Sequence, residues 1–307
     1  MKLPGFSSWL LFAMLCLIWG SSFVLMKMGL FTPQGRPLLS AWQVAALRMA
    51  TAGLAVLPWC PAAWRAIGNL RTRVLVIASG FLGSFIPAFL FCLAETKIPS
   101  ALAGMINALT PLFTILMARL LYKAPVMRHQ WIGVLVGLVG CMGLFGAGMA
   151  YLGKASWVFS GLVVLATLCY AANVNMVRQH LQGVASVHIA SIALASLIIP
   201  SLVILWATGY FSLPLAHSGY VKASTAASTL GVIGTAVASV IFYRLVKTAG
   251  VLFASMVTYG IPFVAIGWGI WYGEAIGLMQ VAALLLILTG VYLVNRPGYR
   301  QRTSTAA

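Results

Sequence analysis

Only two side chains in this chain of 307 residues can act as carboxylates, Glu95 and Glu274, and aspartate is absent. Each closes a long apolar run. Each reads in one of two ways: as a proton-coupling or gating carboxylate, or as a partly solvated acid, with Lys97 a ready partner for Glu95. Arg48 lies in the middle of another apolar run, Val44-Ala-Ala-Leu-Arg48-Met. A lone cation at a bilayer centre costs about 2.5–3.5 kcal/mol on insertion scales. Arg48 must therefore face the interior, either as a contact for an anion or carboxylate, or bonded to carbonyls at a helix break. Arg119 is one turn from the end of its run and can reach the interface on its long stem.

Pro111 and Pro262 also sit inside apolar runs. Each predicts a kinked helix, because proline removes a backbone donor and crowds the carbonyl four residues back. Asn107 stands three and seven residues before Thr110 and Thr114, a spacing that lines one helix face. Ser255, Thr258 and Tyr259 stand similarly before Pro262. Trp19 shares a face with Ser22, and Tyr170 shares one with Asn173. These residues read as the lining of a substrate pathway; the alternative is polar bonding between packed helices. Trp268 and Trp271 read as interfacial aromatics, and Gly133, Gly137 and Gly140 as a face for close packing within the monomer.

The elements that must hold these residues follow from composition. The chain is 62% hydrophobic and 7% charged, with mean hydropathy +1.02. A soluble domain has about a quarter of its residues charged, so the surrounding medium is lipid and the spanning segments are helices. Ten apolar runs are long enough to cross: near Trp9–Met28, Leu39–Trp59, Val74–Ala94, Ser100–Tyr122, Gln130–Met149, Ser156–Val177, Ser186–Trp206, Ala226–Val246, Val251–Tyr272 and Ile276–Val294. The first is a retained helix, not a cleaved signal, since no small-residue cleavage site follows it. The net charge of +17 falls between these runs, as expected beside anionic lipid and not for nucleic acid. With the N-terminus in the cytoplasm, twelve of the 19 Lys and Arg lie inside, five lie outside (Lys27, Arg36, Lys97, Lys154, Lys222), and Arg48 and Arg119 lie within spans. That bias predicts both termini in the cytoplasm and both glutamates on the outer side.

A shift of 151 positions brings Ala103 onto Ala254, Met105 onto Met256, Pro111 onto Pro262, Ile115 onto Ile266 and Lys123 onto Glu274. Five helices per half is an odd number, so the second half enters the membrane inverted. The predicted fold class is an all-α polytopic membrane protein with ten transmembrane helices as a 5+5 inverted repeat. Such a repeat supplies two equivalent arrangements, one open to each side, with the site between the halves.

These stretches resemble the EamA-type transporters of the drug/metabolite transporter superfamily. The resemblance is carried by Trp19-Gly-Ser-Ser-Phe23, Ala46-Leu-Arg48, Ser100-Ala-Leu-Ala-Gly-Met-Ile-Asn-Ala-Leu-Thr-Pro111, Tyr259-Gly-Ile-Pro262, Tyr272-Gly-Glu274 and Leu288-Thr-Gly-Val-Tyr-Leu293. It spans nearly the whole chain as two tandem units, 10–145 and 157–295, leaving a basic cytoplasmic tail, 296–307. It implies a central cavity lined chiefly by helices three, four, eight and nine, and export of amino acids or other small metabolites across a bacterial inner membrane. One departure stands out: such units end the proline helix with Gly-Glu, as Gly273-Glu274 does, whereas the first unit has Tyr122-Lys123.

Other classes fit less well. A membrane-embedded enzyme acting on a lipid or prenyl substrate needs acidic metal-diphosphate clusters, which two distant glutamates cannot build. A receptor or scaffold would need a sizeable loop or tail domain. Gly148-Met-Ala-Tyr-Leu-Gly153-Lys154-Ala155 is close to a phosphate-binding loop but lacks the Ser/Thr after lysine and the strand before it. The cysteines, Cys16, Cys60, Cys92, Cys141 and Cys169, are widely spaced and read as small packing residues. No cofactor or metal is expected; the expected partners are the lipid bilayer and a small-molecule substrate, with the protein a monomer or weak dimer. The scarcity of titratable groups favours facilitated diffusion or weak coupling over tight proton exchange.

Overall fold

The computed structural model describes residues 5–152 and 155–295; the side chains at 147–152, 155, 156, 243, 246, 247, 250–252 and 255 lie outside that description. The basic tail and Lys154 of the phosphate-loop-like stretch also lie outside it. Nine helices long and apolar enough to cross a membrane and one shorter apolar helix, α9, run through the described residues: α1 (Phe6–Leu30), α2 (Ala41–Ala66), α3 (Leu70–Glu95), α4 (Ser100–Tyr122), α5 (Arg128–Leu152), α6 (Ala155–His180), α7 (Ser186–Ala207), α8 (Ser218–Phe242), α9 (Val257–Trp271) and α10 (Leu278–Asn295). The molecule is an all-α polytopic membrane protein. Only α9, at 15 residues, is shorter than a full crossing. Helical backbone from Ala238 to Ser255 carries the chain out of α8 and into α9.

The packing repeats when the halves are exchanged. α1 lies against α8 and α9, just as α6 lies against α3 and α4. α2 packs on α7, and α5 on α10. Gly133 approaches Gly290 and Val294 while Gly140 approaches Ala283 and Ile287, so α5 and α10 run antiparallel. That puts the α5 glycines to use within the chain. The start of α2 is fixed by a capping box, in which the Ser40 hydroxyl accepts from Gln43 N and Gln43 Oε1 accepts from Ser40 N. Gln43 Nε2 then donates to Thr208 O at 2.9 Å, tying the start of α2 to the end of α7.

Two expectations need correction. The eighth span begins at Ser218, not near Ala226, because the His217 side chain accepts from Gly219 N and starts a helix ahead of the apolar run. Pro111 does not kink a continuous helix. The helix stops at Asn107 and a new one starts at Thr110, with Pro111 in its first turn, where no intrahelical donor is lost. Pro262 does lie inside its helix, as expected.

Candidate functional site

Among the described residues each half carries one π-helical stretch, Phe81–Phe85 in α3 and Val232–Val237 in α8, and the two start 151 positions apart. Such bulges widen a helix locally and mark functional sites in many proteins. Each holds a glycine, Gly83 and Gly234, again 151 apart. A Cβ on Gly83 would strike the Asn173 amide, and one on Gly234 would come within 3.3 Å of Ser22 Oγ. Ser22 and Asn173 are themselves 151 apart. The structure thus builds one contact twice: a side chain of α1 or α6 laid on the bare backbone of a π stretch in the other half.

The neighbours differ between the copies. Trp19 Nε1 donates to Gly234 O at 3.1 Å, and its ring lies 5.5 Å from Phe242. Tyr170, the counterpart of Trp19, stacks on Phe91 at 6.2 Å. Ser22 Oγ donates to Ile18 O, whereas Asn173 Oδ1 is buried with no hydrogen-bond partner among the described residues. Arg48 Nε donates to Thr235 Oγ1 at 3.2 Å, within the α8 π stretch, and Nη1 reaches Met26 Sδ. Among the described residues Arg48 thus reaches the hydroxyl of a bulge and no backbone carbonyl.

The proline spans hold the remaining candidates. Thr110 Oγ1 donates to Asn107 O and Thr114 Oγ1 to Thr110 O, so both hydroxyls bond to backbone across or just after the break. Asn107 Oδ1 is buried and has no partner among the described residues. Tyr259 Oη accepts from Asn295 Nδ2 at 3.1 Å, joining α9 to α10. Thr258 is half-buried in the first turn of α9, and the Ser255 side chain lies outside the described residues. Trp268 Nε1 donates to Ser21 Oγ at 2.7 Å and so ties α9 to α1, while Trp271 is 82% exposed at the end of α9.

The two carboxylates meet at one point, the start of α4. Glu274 Oε1 accepts from Ser100 N at 2.8 Å and Oε2 from Ala101 N at 2.9 Å. A carboxylate there fills two vacant helix-end amides and complements the helix dipole. Gly273 makes this possible: its φ of 78° reverses the chain after α9, a conformation that costs glycine little. Glu95 is not the partly solvated acid paired with Lys97. It is fully buried, at 0% exposure, and Lys97 is exposed. Its Oε2 lies 3.2 Å from Ser100 Oγ, and its Oε1 has no hydrogen-bond partner among the described residues. Lys27 Nζ donates to Glu95 O and Ile98 O, covering carbonyls left open where α3 ends.

Sequence reasoning missed Ser100 and Thr235 as partners of the charged groups, and Gly83 and Gly234 as contact points. The glycine pair was detectable, since it obeys the same 151-residue shift as the prolines. Among the described residues no three His, Cys, Asp or Glu side chains come together.

Residues 7–146 and 157–296 each match the EamA-like transporter family. The chain is 25% identical to a protein of Escherichia coli (strain K12) named an uncharacterized inner membrane transporter, YedA, covering 97% of this chain and 92% of that one. It is 22% identical to one of Bacillus subtilis (strain 168) named an uncharacterized transporter, YdfC, covering 91% and 85%. A crystal structure 17% identical in sequence, covering 98% of this chain and 99% of that one, has the same fold at a TM-score of 0.60. With nine apolar spans and one shorter apolar helix among the described residues, a packing scheme that repeats between halves and two matched units that together span nearly the whole chain, the protein belongs to the EamA-like transporter family.

Proposed function

We propose that the protein exports small metabolites such as amino acids across a bacterial inner membrane, by alternating access at a central site between units 10–145 and 157–295. The observation that carries this reading is the doubled contact, Gly83 with Asn173 and Gly234 with Ser22. Two equivalent contacts related by exchange of the halves give a bundle two equivalent ways to rock. Arg48 would take the substrate carboxylate, since a guanidinium binds it with charge-assisted hydrogen bonds. The Oδ1 atoms of Asn107 and Asn173, buried acceptors lacking partners among the described residues, suit an ammonium group. Trp19, Ser22, Thr110, Thr258, Tyr170 and Tyr259, with the two prolines, would form the walls. Glu274 would act as a gate, because it joins the end of α9 in one unit to the start of α4 in the other.

Both termini are taken as cytoplasmic from the charge bias, which sets the Glu274 end outside. The test is counterflow of radiolabelled amino acids in proteoliposomes. Saturable exchange that is lost in Arg48→Ala supports the reading. Exchange of none of the common amino acids, alongside turnover of an added lipid, sinks it in favour of an enzyme.

A further inference from the structure

We infer that Glu95 is a proton-binding site, and that its proton holds shut the gate which Glu274 makes on the start of α4. The inference deepens the reading of Glu274 as a gate and rests on it.

The argument begins with one hydroxyl. Ser100 Oγ lies 3.3 Å from Phe23 O and 3.2 Å from Glu95 Oε2. A hydroxyl has one proton to give. If Glu95 is ionised, that proton goes to Oε2, and the second oxygen of a fully buried carboxylate is left bare. An ionised group stripped of water and of partners is among the costliest buried arrangements. If Glu95 carries the proton, Oε2–H donates to Ser100 Oγ and the hydroxyl donates to Phe23 O. Every donor is then used, and the orphan Oε1 is only a neutral carbonyl oxygen.

The charged groups that face Glu95 are Lys27 from α1, Arg48 from α2 and Glu274 from the loop after α9, and the Cys92 thiol lies near it on α3 itself. None lies within ion-pair distance among the described residues, and each cation is engaged elsewhere: Lys27 on two carbonyls, Arg48 on Thr235. A metal ion is a poorer occupant than a proton, because the Lys27 ammonium already sits on the carbonyl of Glu95 itself.

Ser100 is the junction. Its backbone N–H binds Glu274 and its hydroxyl contacts Glu95. With the proton in place, Ser100 separates one negative charge from one neutral group. Once the proton leaves, it separates two like charges, and the contact most easily released is the half-exposed one, Glu274 on the α4 amides. The sign follows from linkage: a proton bound more tightly in the latched state stabilises that state at low pH, and the stabilisation is lost as pH rises.

The test uses the full chain in liposomes and needs no substrate. Because the sequence has two side-chain carboxyls, infrared difference spectra are simple to assign. The expected result is a protonated carboxylic acid band at neutral pH that vanishes in Glu95→Gln and persists in Glu274→Gln. Hydrogen exchange at the Ser100 and Ala101 amides, corrected for the intrinsic rate, should rise by up to about tenfold per pH unit over the range in which opening releases the Glu95 proton, and level off above it. In Glu95→Gln, a neutral stand-in for the acid, that rise should disappear, and Ser100→Ala should weaken it while keeping the acid band. Absence of the band in wild type overturns the proposal, as does an exchange profile that ignores Glu95. Working counterflow without the band sinks this inference alone; the band without any transport sinks the transport reading alone.

Discussion

The spans α4 and α9 are one element built twice, yet they end differently. α9 closes through Gly273, and Glu274 folds back onto the free amides at the start of α4. α4 closes at Lys123, which itself adopts the left-handed conformation, with φ 51°, and whose carbonyl accepts from Arg119 Nη1. The difference comes from what each end has opposite it. Pro99 stops α3 from running on into α4, so Ser100 starts a helix with vacant amides. The positions 151 further on from Thr96–Pro99 are 247–250, and the backbone there is helical without a break. A glutamate at 123 would find no vacant amides to cap. Lys123 thus stands where the second half offers no vacant amides.

The largest expected effect tests the other asymmetry. Arg48 is in the first unit, and the residue 151 positions on, Ile199, is 74% exposed on α7. Arg48→Ala should cut counterflow by about tenfold or more, the scale of losing a charge-assisted hydrogen bond, while Ile199→Ala leaves it unchanged. Equal effects would mean that the halves share the charge site after all.

Next come the symmetric glycines. Gly83→Ala forces a methyl into Asn173, and Gly234→Ala forces one toward Leu230 and Ser22. Each should cost about 1–3 kcal/mol of stability, as overpacking does, read as a lower thermal midpoint in detergent. Similar losses sharpen the case for equivalent halves. A loss in one and none in the other breaks it.

The Glu274 gate predicts a smaller change. Glu274→Ala removes a cap worth about 0.5–2 kcal/mol, so the fully buried Cys92, kept as sole cysteine, should react faster with an impermeant thiol reagent added from outside. Faster reaction from the inside only would reverse the assigned orientation. The pH response belongs to the same gate: acid should slow the reaction beyond the thiol's own dependence, and Glu95→Gln should abolish that extra slowing.

Much of the architecture was legible because a bilayer demands long apolar helices, and because a repeat shows as shared spacing. Pro111 and Pro262 announced the two units. The site was less legible. Nothing in Phe81–Phe85 or Val232–Val237 marks a π stretch, since the extra residue is fixed by packing and not by local propensity. Glu95 misled for a similar reason. Beside Lys97 and a turn it looks solvated, yet α1 and α4 close over it in three dimensions. Glu274 was visible as a gating candidate, but its partners are backbone amides 174 and 173 residues away, which no sequence pattern displays.

The smallest effect concerns Lys123. A left-handed conformation costs a residue with a Cβ about 1–2 kcal/mol, and glycine escapes that cost. Part of the relief returns as extra freedom of the unfolded chain, so Lys123→Gly should stabilise the protein by roughly 0.5–1 kcal/mol. The bond from Arg119 Nη1 survives the change, because it ends on the Lys123 carbonyl and not on the side chain. Counterflow should stay at the wild-type level, since no gate rests on this end. Gly273→Ala is the opposite test: φ at 273 is 78°, so alanine there should destabilise and also pull Glu274 from the α4 amides, with faster Cys92 labelling. If Lys123→Gly lowers the thermal midpoint instead, the lysine side chain holds something at that end, and the two proline spans end differently for a reason other than the missing break opposite Lys123.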